Sequence, residues 1–361
     1  MKRQFFVMAL AILLGGCAAS VPQRTFDQHV ADQSHQDYCL EQELDSVKSA
    51  LSSLNDSVSA LARICLLTDS LAKENESRFK EYRLNAFVHA IPESVIFCGQ
   101  SIVFDTPDKW SRLERALVNI AESQIWLRST YQRAKLSFPV IDSIMADSLL
   151  PFDLRYVPAI ESGYDNQALS HAGASGPWQF MPVTGRRFQL TQNAWVDMRH
   201  NLIGSTQAAA GYLYELHCQF GNWPLALAAY NMGEGGLARR IKEQGVEDYF
   251  DLLLPSETEM FVFKIIAIKF IFENPEQFNI PREIKPDWEY VQSDTVSVQI
   301  RSSLSIYTVA EWCIAAPRQI KLLNPELKND TWGPGQYVIN LPRNTRHLFV
   351  EAMAELKAGK R

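Results

Sequence analysis

Ala159-Ile160-Glu161-Ser162-Gly163, followed by Ser170-His171-Ala172-Gly173-Ala174-Ser175-Gly176-Pro177-Trp178-Gln179-Phe180-Met181-Pro182, decides how the chain reads. Pro151 suits the first turn of a helix through Glu161, in which Pro158 costs a hydrogen bond and produces a kink, and Gly163 ends it. The second stretch is a loop of small residues delivering Trp178 and Gln179. Farther on, Leu227-Ala228-Ala229-Tyr230-Asn231-Met232-Gly233-Glu234-Gly235 closes a helix that starts at Pro224 and stops on Gly233 and Gly235, residues that accept the left-handed conformation of a helix C-terminus. One acid among 41 is ordinarily a solvated surface charge. Its neighbours change that reading, because a single carboxylic acid, a phenol and two amides beside an aromatic surface are the parts that bind an N-acetylated sugar and protonate its glycosidic oxygen.

Taken in order, Glu161-Ser162, Gly176-Pro177-Trp178-Gln179, Met181-Pro182-Val183-Thr184-Gly185, Ala229-Tyr230-Asn231-Met232-Gly233 and Glu257-Thr258-Glu259-Met260-Phe261-Val262 resemble the motifs of lytic murein transglycosylases with a goose-type-lysozyme-like fold. The resemblance covers roughly residues 87–272. It implies that Glu161 is the sole catalytic carboxylate. As acid it protonates the oxygen between N-acetylmuramic acid and N-acetylglucosamine, and as base it removes a proton from the muramoyl C6 hydroxyl, giving a 1,6-anhydro product without consuming water. A partly apolar pocket is expected to keep Glu161 protonated near neutrality. Tyr230 is expected to hydrogen-bond or position Glu161, and Gln179 and Asn231 to order substrate and backbone. Ser162 and Ser175 are expected to line the cleft and Trp178 to form its apolar wall. The sequence departs from the family at Pro177, where Leu is usual, and at Phe261, where Tyr is usual. These departures motivate an alternative, a cell-wall-binding or scaffolding lipoprotein without lytic activity; a hydrolytic muramidase is the other.

Working outward, Leu40, Leu44, Val47, Leu51, Leu54, Val58 and Leu61 recur at alternating spacings of four and three, a heptad seam. The seam fits either self-association through residues 40–61 or packing within the chain. At the start, Lys2 and Arg3 precede ten apolar residues, Phe5 to Leu14, and Leu14-Gly15-Gly16-Cys17. This resembles a bacterial lipoprotein signal, with Cys17 as the lipidated residue and the membrane as a partner through that lipid. The expected location is the cell envelope, on the periplasmic face of the outer membrane.

Toward the other end, Val296 to Ile300 and Tyr337 to Leu341 alternate as strands around a helical stretch from Val309 to Leu323. Thr308-Val309-Ala310, Ile320-Lys321-Leu322-Leu323-Asn324-Pro325 and Gly333-Pro334-Gly335-Gln336 resemble a degenerate LysM repeat, which implies binding of N-acetylglucosamine polymers. The chain thus reads as mainly α. A signal (1–16), a linker (17–36) and a helical stalk (37–86) precede a lysozyme-like α-helical catalytic domain (87–280), a small α+β LysM-like module (287–345) and a helical tail (346–361).

Composition narrows the partners. A net charge of -6 and no local basic patch give nucleic acid no footing. Six scattered cysteines form no disulfide framework, and no CxxC pair or HExxH helix offers metal-ligand spacing, so neither metal nor cofactor is expected. His171 and Ser175 lack an acid partner, and Gly233-Glu234-Gly235-Gly236 lacks a preceding strand, which argues against a hydrolase triad and a nucleotide loop.

Overall fold

The computed structural model describes the backbone of residues 23–88, 93–281 and 293–357. The signal at 1–16 and Cys17 lie outside the described residues. The chain divides into two units, Met1–Arg83 and Leu84–Arg361. The first is dominated by α1, Gln23–Val88, a helix of 66 residues containing neither Gly nor Pro. Without a breaker after Pro22, the stretch read as a linker is helical from Gln23 onward. Its heptad residues are exposed, Leu40 at 61% and Leu51 at 67%.

The second unit holds two buried cores. It opens with an antiparallel hairpin of β1 (Ser94–Phe97) and β2 (Gln100–Val103). Cys98 and Gly99, both at positive φ, make the turn between them. Two helices follow, α2 (Pro107–Glu122) and α3 (Gln124–Asp147), separated at Ser123. The break resets the helical phase, so Leu113, Leu117 and Ile120 are buried while Ile125 is 89% exposed. Pro139 sits inside α3 rather than ending it.

The helix expected from Pro151 to Glu161 is likewise two pieces, a 3₁₀ turn over Phe152–Tyr156 and then α4, Val157–Ser162. Pro158 therefore falls in the first turn of α4, where no intrahelical N–H is required, and causes no kink. After α5 (Pro182–Arg187), Asn201 caps α6 (Leu202–Phe220) by accepting from Gly204 N at 2.9 Å. Asn222 caps α7 (Trp223–Met232) in the same way. Gly233 ends α7, but Gly235 belongs to the next helix, α8 (Glu234–Gln244).

At the centre lies α9, Ser256–Glu273, with Val262, Phe263, Ile265, Ile266, Ala267 and Ile268 wholly buried. A helix apolar on every side belongs in a core, and α9 packs against α2, α4 and α7. Ser256-Glu257-Thr258-Glu259 has the residue spacing of a capping box but does not form one. The helix begins one residue early, on Pro255 as cap, which leaves Glu257 exposed and buries Thr258.

The second core is built on β3 (Ser293–Ile300) paired antiparallel with β6 (Gly335–Pro342). A short pair, β4 (Leu304–Ser305) and β5 (Thr331–Trp332), flanks two helices, α10 (Ile306–Trp312) and α11 (Pro317–Leu323). Pro317 starts α11 afresh, which is why no single helix runs from Val309 to Leu323. The closing helix α12, Arg346–Lys357, buries Phe349, Ala352 and Met353 in this core instead of trailing from it. Val196 joins it too, from the loop before α6.

Candidate active site

Glu161 occupies the last turn of α4, and its position depends on how that helix stops. Gly163 is the cap, with φ 60, and a Cβ there would lie 2.9 Å from Thr130 Oγ1 and 3.0 Å from Arg133 Nη2. Its carbonyl accepts from Arg133 Nε at 2.6 Å. Glycine is thus required twice over, for the left-handed turn and for the close approach of α3. Burial pushes the Glu161 carboxyl up to about 8, and the negative charge of Glu257 on α9 adds to the effect. A carboxyl in this state is protonated near neutrality, as a general acid must be.

The loop expected to deliver Trp178 and Gln179 is fixed from below by a buried ion pair that the sequence motifs do not mark. Arg199 and Asp197 are 7% and 5% exposed, joined by bonds of 2.7 and 3.0 Å. Burial alone would raise the Asp197 carboxyl, but hydrogen bonds and charge from Arg199 outweigh it and hold it below the ordinary value. Arg199 Nη1 donates to the carbonyls of Gly173 at 2.8 Å and Phe180 at 2.9 Å, clamping both ends of the loop. Between them Gly176, at φ 80, lies so close to this strut that a Cβ would stand 1.8 Å from the Arg199 carbonyl oxygen. A charged pair two residues apart in an aperiodic loop carries no periodic signal. The only hint is that Asp197 can cap the short turn it precedes, and its carboxylate does accept from Arg199 N at 3.2 Å.

Two expected cleft residues are elsewhere. Trp178 is fully buried, with Nε1 donating to Thr206 Oγ1 at 2.9 Å, so it is a core wedge and not an exposed wall. The indole needs a partner for its N–H when buried, and α6 supplies one. Ser175 is 1% exposed because its backbone exchanges two 3.1 Å hydrogen bonds with Phe180, closing the loop, so it does not line a cleft. Ser162 is half-buried and ties α4 to the same loop, donating to the Pro177 carbonyl at 2.8 Å. Pro177 is itself buried, and Phe261 is 2% exposed, one turn along α9 from Glu257.

Tyr230, Gln179 and Asn231 come together. They share a crevice of about 270 Å³ with Phe180, Tyr212 and Glu234. The Tyr230 hydroxyl donates to the Trp178 carbonyl at 2.7 Å rather than to Glu161. Burial holds the phenol well above its ordinary value, and the charge of Glu161 adds to that, so the two groups sense each other. Gln179, at φ 50, donates from its amide to the Gly176 carbonyl at 2.8 Å. Asn231 Oδ1 accepts from Thr258 Oγ1 at 2.6 Å, which gives the buried Thr258 of the Glu-Thr motif a concrete purpose. Glu257, next to it, is the residue whose influence on Glu161 the motif alone does not reveal. Among the described residues no group of three or more His, Cys, Asp or Glu is arranged to hold a metal ion.

The Transglycosylase SLT domain family matches residues 141–252, a span that includes Glu161, Gln179, Tyr230 and Asn231. The chain is 28% identical over 265 residues to membrane-bound lytic murein transglycosylase D of Escherichia coli K12, covering 72% of this chain and 57% of that protein. It therefore spans little more than half the length of that relative. Among solved structures, the 70 kDa soluble lytic transglycosylase of Escherichia coli aligns at a TM-score of 0.35 with 17% identity, over 50% of this chain and 33% of that one. An inactive variant of lytic transglycosylase Slt from Pseudomonas aeruginosa aligns at 0.31 with 23% identity, over 40% of this chain and 24% of that one.

Proposed function

We propose that the chain, whose residues 141–252 match the Transglycosylase SLT domain family, cleaves the β-1,4 bond between N-acetylmuramic acid and N-acetylglucosamine in peptidoglycan without water. The observation that carries the proposal is Glu161, a carboxyl pushed up to about 8 by burial, on the helix that Ser162 ties, by its hydrogen bond to the Pro177 carbonyl, to the loop carrying Gln179.

The reaction needs one carboxyl in two states. Protonated Glu161 gives its proton to the bridging oxygen as the muramoyl C1–O bond breaks, and the N-acetylglucosamine end leaves as an alcohol. The carboxylate so formed takes the proton of the muramoyl C6 hydroxyl, whose oxygen bonds to C1 of its own ring. Glu161 ends protonated, as it began, and no water enters. A carboxyl raised to about 8 suits this cycle, since it is held as the acid at rest and becomes a competent base once it has given up its proton. Asn231, braced by Thr258, and Gln179, braced by its own loop, would hold the acetamido and hydroxyl groups of the sugar.

The further parts of the proposal are lipidation at Cys17, attachment to a membrane of the cell envelope, self-association along the exposed heptads of α1, and glycan binding by the LysM-like module. Among the described residues no helix is long and apolar enough to cross a membrane.

Purified chain incubated with sacculi tests the catalytic assignment. The wild type is expected to release soluble muropeptides, and Glu161→Gln to lose at least about a thousandfold in rate. Full activity in Glu161→Gln would remove Glu161 from the chemistry. Binding of sacculi without release by the wild type would leave the scaffold reading in its place.

A further inference from the structure

The two-stranded sheet of the C-terminal region has one face that its own helices do not cover. Val296, Val298, Ile300, Ile339 and Leu341 point into the second core, so by the alternation of a strand Gln336 and Val338 point the other way. Across from them stands α6, with Ile203 and Gln207 one turn apart on its outer side. Sheet and helix enclose a cleft of about 900 Å³.

The cleft is held open by a short, rigid joint. Val196 and Leu327 form an antiparallel bridge, Asp197 N donates to the Glu326 carbonyl at 2.8 Å, and Lys328 N donates to the Trp195 carbonyl at 2.8 Å. Asn201 Nδ2 adds a bond to the Glu326 carboxylate at 3.1 Å, where Glu326 is 3% exposed. Gly333 lies directly against the Trp195 ring, and a Cβ there would stand 2.1 Å from Trp195 Cε2. These contacts fix the spacing between sheet and helix while leaving the faces beyond the joint apart.

The lining has a definite chemistry. Gln189, Gln207 and Gln336 bring exposed primary amides, each both donor and acceptor, a match for hydroxyl and acetamido groups. Val338 and Ile203, 59% and 46% exposed, add apolar contact for the flat face of a pyranose ring. The lining holds a single cation, Arg187, which is already paired with Glu215 and Glu234, so the cleft offers no basic cluster for a polyanion. Its volume lies at the upper end of the usual range for small-molecule sites, enough for several linked sugars.

Arg187 also joins the cleft to the catalytic crevice. It lines the former, and its partner Glu234, at 3.0 Å, lines the latter beside Tyr230 and Asn231. We propose that the cleft between α6 and the open face of β3–β6 is a second saccharide subsite, which grips an N-acetylated amino-sugar strand while another part of that strand lies at Glu161. Its second clause rests on the function proposed above.

The test is titration calorimetry on the full chain carrying Glu161→Gln, with N-acetylglucosamine hexamer and peptide-free glycan strands as probes. Gln207→Trp with Gln336→Trp fills the cleft from both sides and is expected to weaken strand binding about tenfold, while Arg239→Trp, on the exposed outside of α8, leaves it unchanged. Equal melting temperatures establish that the variants fold, and Gln207→Ala with Gln336→Ala, which adds no bulk, is expected to weaken binding two- to fivefold, roughly. Equal affinity for the Trp pair and the Arg239→Trp control, or no binding of either probe to the starting protein, overturns the subsite. Cleft-dependent binding by a chain that releases no muropeptides from sacculi upholds the subsite and overturns only the catalytic reading.

Discussion

The hydroxyl of Tyr230 donates a 2.7 Å hydrogen bond to the backbone carbonyl of Trp178, 52 positions earlier in the chain. That bond joins the end of α7 to the loop carrying Gln179, and it commits the phenol proton to backbone rather than to Glu161. Tyr230 therefore gives the Glu161 carboxylate no hydrogen bond through that proton, in keeping with a carboxyl held in its neutral form. Tyr230→Phe is expected to cost about 1 kcal/mol of stability and to lower turnover on sacculi about ten- to a hundredfold. Thermal unfolding and muropeptide release measure the two effects. Wild-type turnover in a folded Tyr230→Phe protein would mean that the bond does not position the site.

In the proposed mechanism protonated Glu161 is the acid, so activity should hold up to about pH 8 and fall above it as the proton is lost. Glu257 is a like charge that helps to raise that value. Removing it in Glu257→Gln lowers the Glu161 value, and the alkaline limb of the profile moves to lower pH, with activity at pH 8 down by about two- to threefold. A pH–rate profile of both proteins measures the shift; movement to higher pH would contradict the assignment.

Burial of Glu161 also enters the stability of the fold, with a definite sign. Its folded value lies above the unfolded one, so the native state binds more protons between the two, and stability falls as pH rises from about 4.5 to about 8. Glu161→Gln removes that cost. Relative to wild type, the variant is expected to gain on the order of 2 kcal/mol at pH 9 and little at pH 5. Urea unfolding at the two pH values gives the comparison, and an equal gain at both would show that ionisation of Glu161 is not its source.

The Asp197–Arg199 pair carries the loop from underneath. Asp197→Ala leaves Arg199 buried without its counter-charge and is expected to cost about 3–5 kcal/mol. Partial proteolysis should then cut first between Ser170 and Phe180, since Arg199 holds both Gly173 and Phe180. Unchanged protease resistance of that loop would remove the pair from the account.

Much of the site is legible in the residues because its motifs are local. Glu161 before a Gly that must turn left-handed, and a small-residue loop ahead of Trp178 and Gln179, are patterns that short-range geometry imposes. What the sequence misplaces depends on partners far away. Trp178 reads as the apolar wall of a cleft, yet its indole N–H donates to Thr206, 28 positions later, from within the core. Ser256-Glu257-Thr258-Glu259 has the letters of a capping box, but Pro255 takes the cap, and Thr258 instead braces Asn231 across 27 positions. The Asp197–Arg199 strut and the Val196–Leu327 joint lie in aperiodic loops, where side-chain periodicity has nothing to report.

The most direct test is the product. Digestion of purified glycan strands in ¹⁸O-water, followed by mass spectrometry, separates transglycosylation from hydrolysis in one measurement. The account predicts muramoyl ends one water lighter than reducing ends, carrying no ¹⁸O and absent with Glu161→Gln. Reducing ends labelled with ¹⁸O would contradict it and make the protein a hydrolytic muramidase.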